Sequence, residues 1–229
     1  GKFSKKNILW FILNLRRKDL IIIQKRKDEN LNLILPLIKI VGAKIAFIDC
    51  DLPISKYKHV KYFDYIITTS LRLKKLYLEK YPKKKIFFIS DAVETSILKK
   101  QPFNKKAIFF GWLTKSRIEE INNLKQIFKN ENWEIVTMSN NEIADIYWNK
   151  WSDKKTYDII SDFNVSVVPV DKEELSKYKS ANRVVQSMAI GNIVLCGDIE
   201  AYRAVINNGV NGYICSKPSD WENALIEIS

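Results

Sequence analysis

The stretch "KSANRVVQSMAIGNIVLCGD", Lys179 to Asp198, reads as a helix, a one-glycine break at Gly191 and a buried strand. On a helix, Lys179, Arg183 and Gln186 fall at i, i+4 and i+7 and share a face, with Val184, Val185, Met188 and Ala189 opposite as the expected buried stripe. Ser180 and Asn182 are expected to cap the first turn and leave its amides pointing outward. Two cations at a helix N-terminus would make a cradle for a diphosphate. The same residues would equally suit a solvated basic turn, so the rest of the chain has to decide.

Outward from this unit the chain repeats its grammar. Strand-like runs of β-branched and aromatic residues are predicted at 19–24, 44–51, 65–70 and 84–90, with helices at 30–43 and 71–81 between them. A second series follows: strands at 107–112, 133–139, 164–170, 192–197 and 212–216, and helices at 116–129, 154–161, 177–190, 200–207 and 219–228. Strands alternating with helices predict right-handed βαβ units on parallel sheets. The polar, Lys-rich segment "DAVETSILKKQPFNKK" (91–106) separates the two series. It sets the expected boundary between a short, basic domain of residues 1–97 and a second domain of residues 98–229.

Charge divides the chain in the same place. The net charge is +12, but residues 1–106 hold 25 Lys/Arg against 9 Asp/Glu (+16), and residues 107–229 hold 13 against 17 (−4). A basic half of this kind suits nucleic acid, anionic lipid or an acidic substrate, or is simply a solubilising lysine surface. Apolar content of 46% lies far from the disordered regime. Cys50, Cys196 and Cys215 are widely spaced within or beside apolar runs, which predicts buried, reduced thiols. With a single histidine, His59, and no cysteine pair at ligand spacing, no metal site is expected. "NILWFILNL" is too short to span a bilayer, and no secretory signal is expected. Gly1, where a native start would have Met, reads as a cloning remnant.

In open α/β sheets ligands sit beyond the carboxyl ends of strands. "FFGWLTKSR" (109–117) is such a place: Gly111 would let backbone approach a ligand, and Trp112, Lys115 and Arg117 flank it. An ordinary turn capped by Ser116 explains it equally well. "NNGVNG" (207–212) predicts a turn with positive φ at its glycines. "FIDCDLP" puts Asp49 and Asp51 at a strand end, where an aspartate could accept a proton from a hydroxyl or merely cap the turn. His59, alone in a lysine-rich loop, reads as a bystander.

Taken together, "SANRVVQSMAIGNIVLCGDIEAYRAVINNGVNGYICSKPSDWENALIEI" (180–228) resembles the C-terminal donor domain of GT-B fold glycosyltransferases, family 4-like. The agreement runs in register through the helix, the Gly191 break, the strand, the "NG.NG" turn and the Trp221 helix. "AIFFG" and "DYIITTS" through "IFFISDAVET" extend the resemblance over most of 44–229. It implies an α/β, GT-B-like protein of two Rossmann-like domains with parallel sheets facing a cleft, the N-terminal one abbreviated. It implies transfer of a sugar from a nucleotide-sugar to a glycan acceptor, lipid-linked or at the cell surface, with no metal and no other cofactor. On the same grounds Gly111, Trp112, Lys115, Lys179, Ser180, Asn182, Arg183 and Gln186 would bind the donor, and Asp51 is the candidate catalytic residue. Where the family carries two glutamates eight positions apart, this chain has Tyr178 and Gln186. A catalytically silent nucleotide-sugar-binding module, or a partner subunit of a glycosyltransferase, is therefore the second expectation. The expected setting is cytoplasmic, with the basic half able to rest on the inner face of the cell membrane. Nucleic acid is the poor third partner.

Overall fold

The computed structural model describes residues 11, 13–25, 31–50, 58–93, 102–152 and 156–229. The chain separates into two compact units, residues 1–90 and 91–229. The expected boundary at 97/98 falls within 94–101, outside the described residues, and so does Asp51.

The first unit carries four parallel strands in chain order: β1 (Leu20–Gln24), β2 (Lys44–Asp49), β3 (Tyr65–Thr68) and β4 (Lys85–Phe88). A sheet that always steps the same way with right-handed crossovers puts its connections on one face. The burial agrees. Ile45, Phe47 and Ile66 are fully buried, while Ile22 and Phe87, pointing the other way, are 59% and 48% exposed. Helix α1 (Leu31–Val41) buries Leu35 and Ile38, and α2 (Leu71–Lys80) buries Leu73 and Tyr77. The Phe47 and Phe63 rings stack at 4.8 Å. Ser70 caps α2, its Oγ accepting from the Leu73 N–H at 3.2 Å.

The second unit is a six-stranded parallel sheet: β5 (Lys106–Phe110), β6 (Glu134–Ser139), β7 (Tyr147–Lys150), β8 (Val165–Val168), β9 (Ile193–Gly197) and β10 (Tyr213–Cys215). Their spatial order is β10-β9-β8-β5-β6-β7. Counted within the unit this is 3-2-1-4-5-6, the doubly wound order of dinucleotide-binding domains. Both faces are covered, so β5 and β8 read as near-continuous apolar runs. On one side α3 (Lys115–Asn130) and α7 (Pro218–Glu227) bury Leu124, Phe128, Trp221 and Leu225. On the other lie α4 (Thr156–Ile160), α5 (Asn182–Ala189) and α6 (Glu200–Arg203).

Several local expectations are corrected. The helix predicted at 177–190 is two pieces, a 3₁₀ turn at Glu174–Tyr178 and α5 from Asn182. Lys179 between them is extended, with φ −61° and ψ 152°, so it shares no helix face with Arg183 and Gln186. Ala181, not Ser180 or Asn182, takes the N-cap position of α5 and offers no side-chain cap. The α5 residues that become fully buried are Val184 and Ser187 rather than a broad apolar stripe. Thr114, not Ser116, caps α3. The helix predicted at 200–207 stops at Arg203, and β7 was not foreseen.

Candidate functional site

The strand order of the second unit reverses between β5 and β8, the point in a doubly wound sheet where the loops leaving the two strands splay apart and open a crevice. The loop after β5 is 111–114; the loop after β8 is 169–173. Arg117, from the first turn of α3, spans them. Its Nη1 donates to the Trp112 carbonyl at 2.7 Å and its Nη2 to Asp171 Oδ2 at 2.7 Å. Both side chains are almost wholly buried, at 6% and 0% exposure.

Asp171 is the centre of the cluster. It also accepts from the Ser176 hydroxyl and, at 3.1 Å, from Lys179 Nζ, which donates in turn to Ser176 Oγ at 2.6 Å. The extended backbone at Lys179 is what brings its ammonium back onto a carboxylate eight residues earlier. Burial alone would raise the Asp171 pKa. The Ser176 hydrogen bond and the charges of Lys179 and Arg117 outweigh it and hold the carboxyl below the usual range. Burial, then the neighbouring Arg117 charge, pull the Lys179 ammonium below its ordinary value, with Asp171 opposing.

Arg183, on the first turn of α5, completes the group from the other side. Gly111 has φ +142°, and a Cβ built on it would lie 2.3 Å from the Arg183 Cζ. The glycine thus makes room for a guanidinium of the protein's own. The same guanidinium sits 6.0 Å from the centre of the Phe109 ring. Among the side chains named here three cations face one carboxylate, beside the amino end of α5, which carries no side-chain cap. That is the chemistry of a multiply charged anion site.

The other expected residues are spread around this centre. Trp112 is 64% exposed at the lip of the β5 loop. Lys115 is exposed on α3, and Ser180 and Asn182 lie between Lys179 and Arg183 at the start of α5. Gln186 is half-buried one turn further, its Nε2 donating to the Tyr157 hydroxyl at 3.1 Å. In the first unit Asp49 is buried and accepts from the Tyr77 hydroxyl at 2.6 Å, a structural role at the strand end. Asp171 and Ser176 escaped the sequence reading. The available signal was position, since Asp171 directly follows the apolar strand 164–170. Among the described residues, no group of three or more His, Cys, Asp or Glu could hold a metal ion. No described helix is long and apolar enough to cross a membrane.

No family model matches the chain, and no curated relative does. Solved structures do. TarM superposes with a TM-score of 0.75 at 11% identity, covering 96% of this chain and 50% of its own. HepE of Anabaena in complex with UDP-glucose gives 0.72 at 9%, covering 96% and 71%. The GtfA/B complex gives 0.67 at 12%, covering 99% and 54%. These are GT-B glycosyltransferases, and the α/β fold of this chain is theirs. The chain spans about half the length of TarM.

Proposed function

We propose that this chain is a glycosyltransferase of the GT-B type, moving a sugar from a nucleotide-sugar to a glycan acceptor, lipid-linked or at a cell surface, without a bound metal. The observation that carries the proposal is the Arg117–Asp171–Lys179–Arg183 cluster at the strand-order reversal of the second unit. UDP or UDP-glucose in the HepE and S. aureus TarM structures supports a nucleotide diphosphate as the anion.

On this reading the donor diphosphate lies across the start of α5, between Arg183 and Lys179. As the glycosidic bond to the donor breaks, negative charge grows on the leaving phosphate. Fixed cations and helix amides already aimed there stabilise it without rearranging. Asp171 keeps the cations from repelling one another before the ligand arrives, so the site is preorganised. The Gln186 amide can hydrogen-bond a ribose or sugar hydroxyl. Asp51 remains the proposed acceptor base, in the first unit.

Gln186 and Tyr178, in place of acidic residues, favour one second reading: a module that binds the nucleotide-sugar and turns nothing over, or a partner subunit of an active enzyme. One experiment separates the readings. A panel of UDP-, GDP-, CMP- and TDP-sugars is screened by thermal shift; a ligand at tens of times its Kd should stabilise by about 2 kcal/mol. Turnover of the stabilising donor, persisting in excess EDTA and lost in the Lys179→Ala/Arg183→Ala double variant, is the expected result. Stabilisation with no turnover would select the silent module. No stabilisation by any donor would overturn both.

A further inference from the structure

The first unit holds a charged site of a different kind. At the amino-terminal edge of its sheet, away from the strand ends where α/β ligands usually sit, a hollow of about 330 Å³ is lined by Lys39, Lys44, Lys61, Lys83, Lys84 and Lys85 around a single acid, Asp64. Lys39 comes from the last turn of α1, Lys44 and Lys85 open β2 and β4, and Lys61 lies in the 3₁₀ turn Lys58–Tyr62.

The protein neutralises little of this charge. Asp64 is engaged by Lys39 at 2.8 Å and Lys44 at 3.4 Å, and it accepts from the Ile45 N–H at 2.9 Å. Lys84 meets main-chain carbonyls, donating to Phe63 at 2.7 Å and to Lys61 at 3.2 Å. The lining therefore carries six cations against one carboxylate. Lys39 and Lys84 are half-buried, and Lys44, Lys61, Lys83 and Lys85 are exposed around them. The Lys61 ammonium lies 5.0 Å from the Tyr62 ring centre and that of Lys85 lies 6.0 Å from Tyr65, weak cation–π contacts at the mouth of the hollow. Partial burial, with Lys39 nearby, depresses the Lys84 pKa despite Asp64, as expected where cations crowd.

Positive charge gathered in a concave, partly desolvated place strengthens the local field. A compact anion of two or more charges is what relieves it, and lysine is a point-charge ligand for phosphate. We infer that this hollow binds a phosphate monoester or diphosphate group, independently of the donor site in the second unit. The group belongs either to a lipid headgroup or to a soluble phosphate.

The test uses the full chain carrying Lys179→Ala and Arg183→Ala, so that the second unit's cations do not contribute. Inorganic pyrophosphate is titrated by calorimetry at about 0.15 M salt, where charges further apart than about 8 Å are screened. Binding is expected, and adding Lys61→Glu with Lys83→Glu, both exposed on the rim, should weaken it at least about tenfold with unchanged circular dichroism. Lys61→Gln with Lys83→Gln serves if the glutamate pair fails to fold. Flotation then distinguishes the sources, with phosphatidylcholine vesicles doped to equal charge with phosphatidic acid or phosphatidylserine. Capture by phosphatidic acid alone, competed by pyrophosphate, assigns a lipid headgroup. Pyrophosphate binding with no capture by either vesicle assigns a soluble phosphate. Absent pyrophosphate binding, binding indifferent to the rim variants, or equal capture by both lipids would overturn the inference.

Discussion

Asp171 is the residue on which the second unit's site turns. Asp171→Asn keeps its shape but leaves the buried Arg117 guanidinium short of a counter-charge, which should cost about 3 kcal/mol. Asp198→Asn is the control. Asp198 binds Arg203 with two contacts of 2.5 Å, but the arginine is 65% exposed, so the loss should stay below about 1 kcal/mol. Urea midpoints of the two variants measure the difference. The pH dependence has a definite sign. The folded-state pKa of Asp171 lies below its unfolded value, so its stabilisation is complete above about pH 4 and fades as pH falls further. Wild-type stability should therefore drop more steeply below pH 4 than that of the asparagine variant, in urea titrations at stepped pH. The cysteines illustrate the opposite regime: burial lifts the Cys196 thiol to about 12 and pushes Cys215 up as well. Thiol reagents should label neither quickly in the native protein, against rapid labelling in urea.

At the scale of elements, most of the fold was legible, because the buried strands of a parallel sheet announce themselves as short β-branched and aromatic runs. What failed has physical reasons. β7, "YWNK", is a half-exposed edge strand with no apolar run to betray it. The helix expected to start at 177 starts at Asn182, because Lys179 must stay extended to reach Asp171, a tertiary contact that overrides local helical spacing. Arg117 and Asp171 are 54 residues apart, and no local pattern in either segment connects them. Strand order was equally hidden, since it depends on which distant strands pair. Capping was hard to read: Thr114, not Ser116, caps α3, and Ala181 takes the place expected of Ser180 or Asn182. Ser70→Ala removes the acceptor for Leu73 N–H and should cost about 1 kcal/mol, seen as a lower urea midpoint.

For the molecule as a whole, the two units divide charge as well as chain. The basic half carries the lysine hollow, while the mildly acidic half sets three of its 13 cations, Arg117, Lys179 and Arg183, at one crevice. The sheets differ too, and this difference bears on how the protein can change. The strand order of the second sheet reverses at its middle, so on the proposed function the donor's position comes with the topology and is fixed by the core. The first sheet steps one way from β1 to β4 and has no such reversal. If it receives the acceptor as proposed, selectivity there has to reside in the loops and surface that clothe the sheet rather than in the order of its strands. Those parts tolerate replacement far better than a core does. If the proposed function holds, acceptor preference could drift from one glycan to another over evolution by loop exchange, while the donor side stays locked to one chemistry.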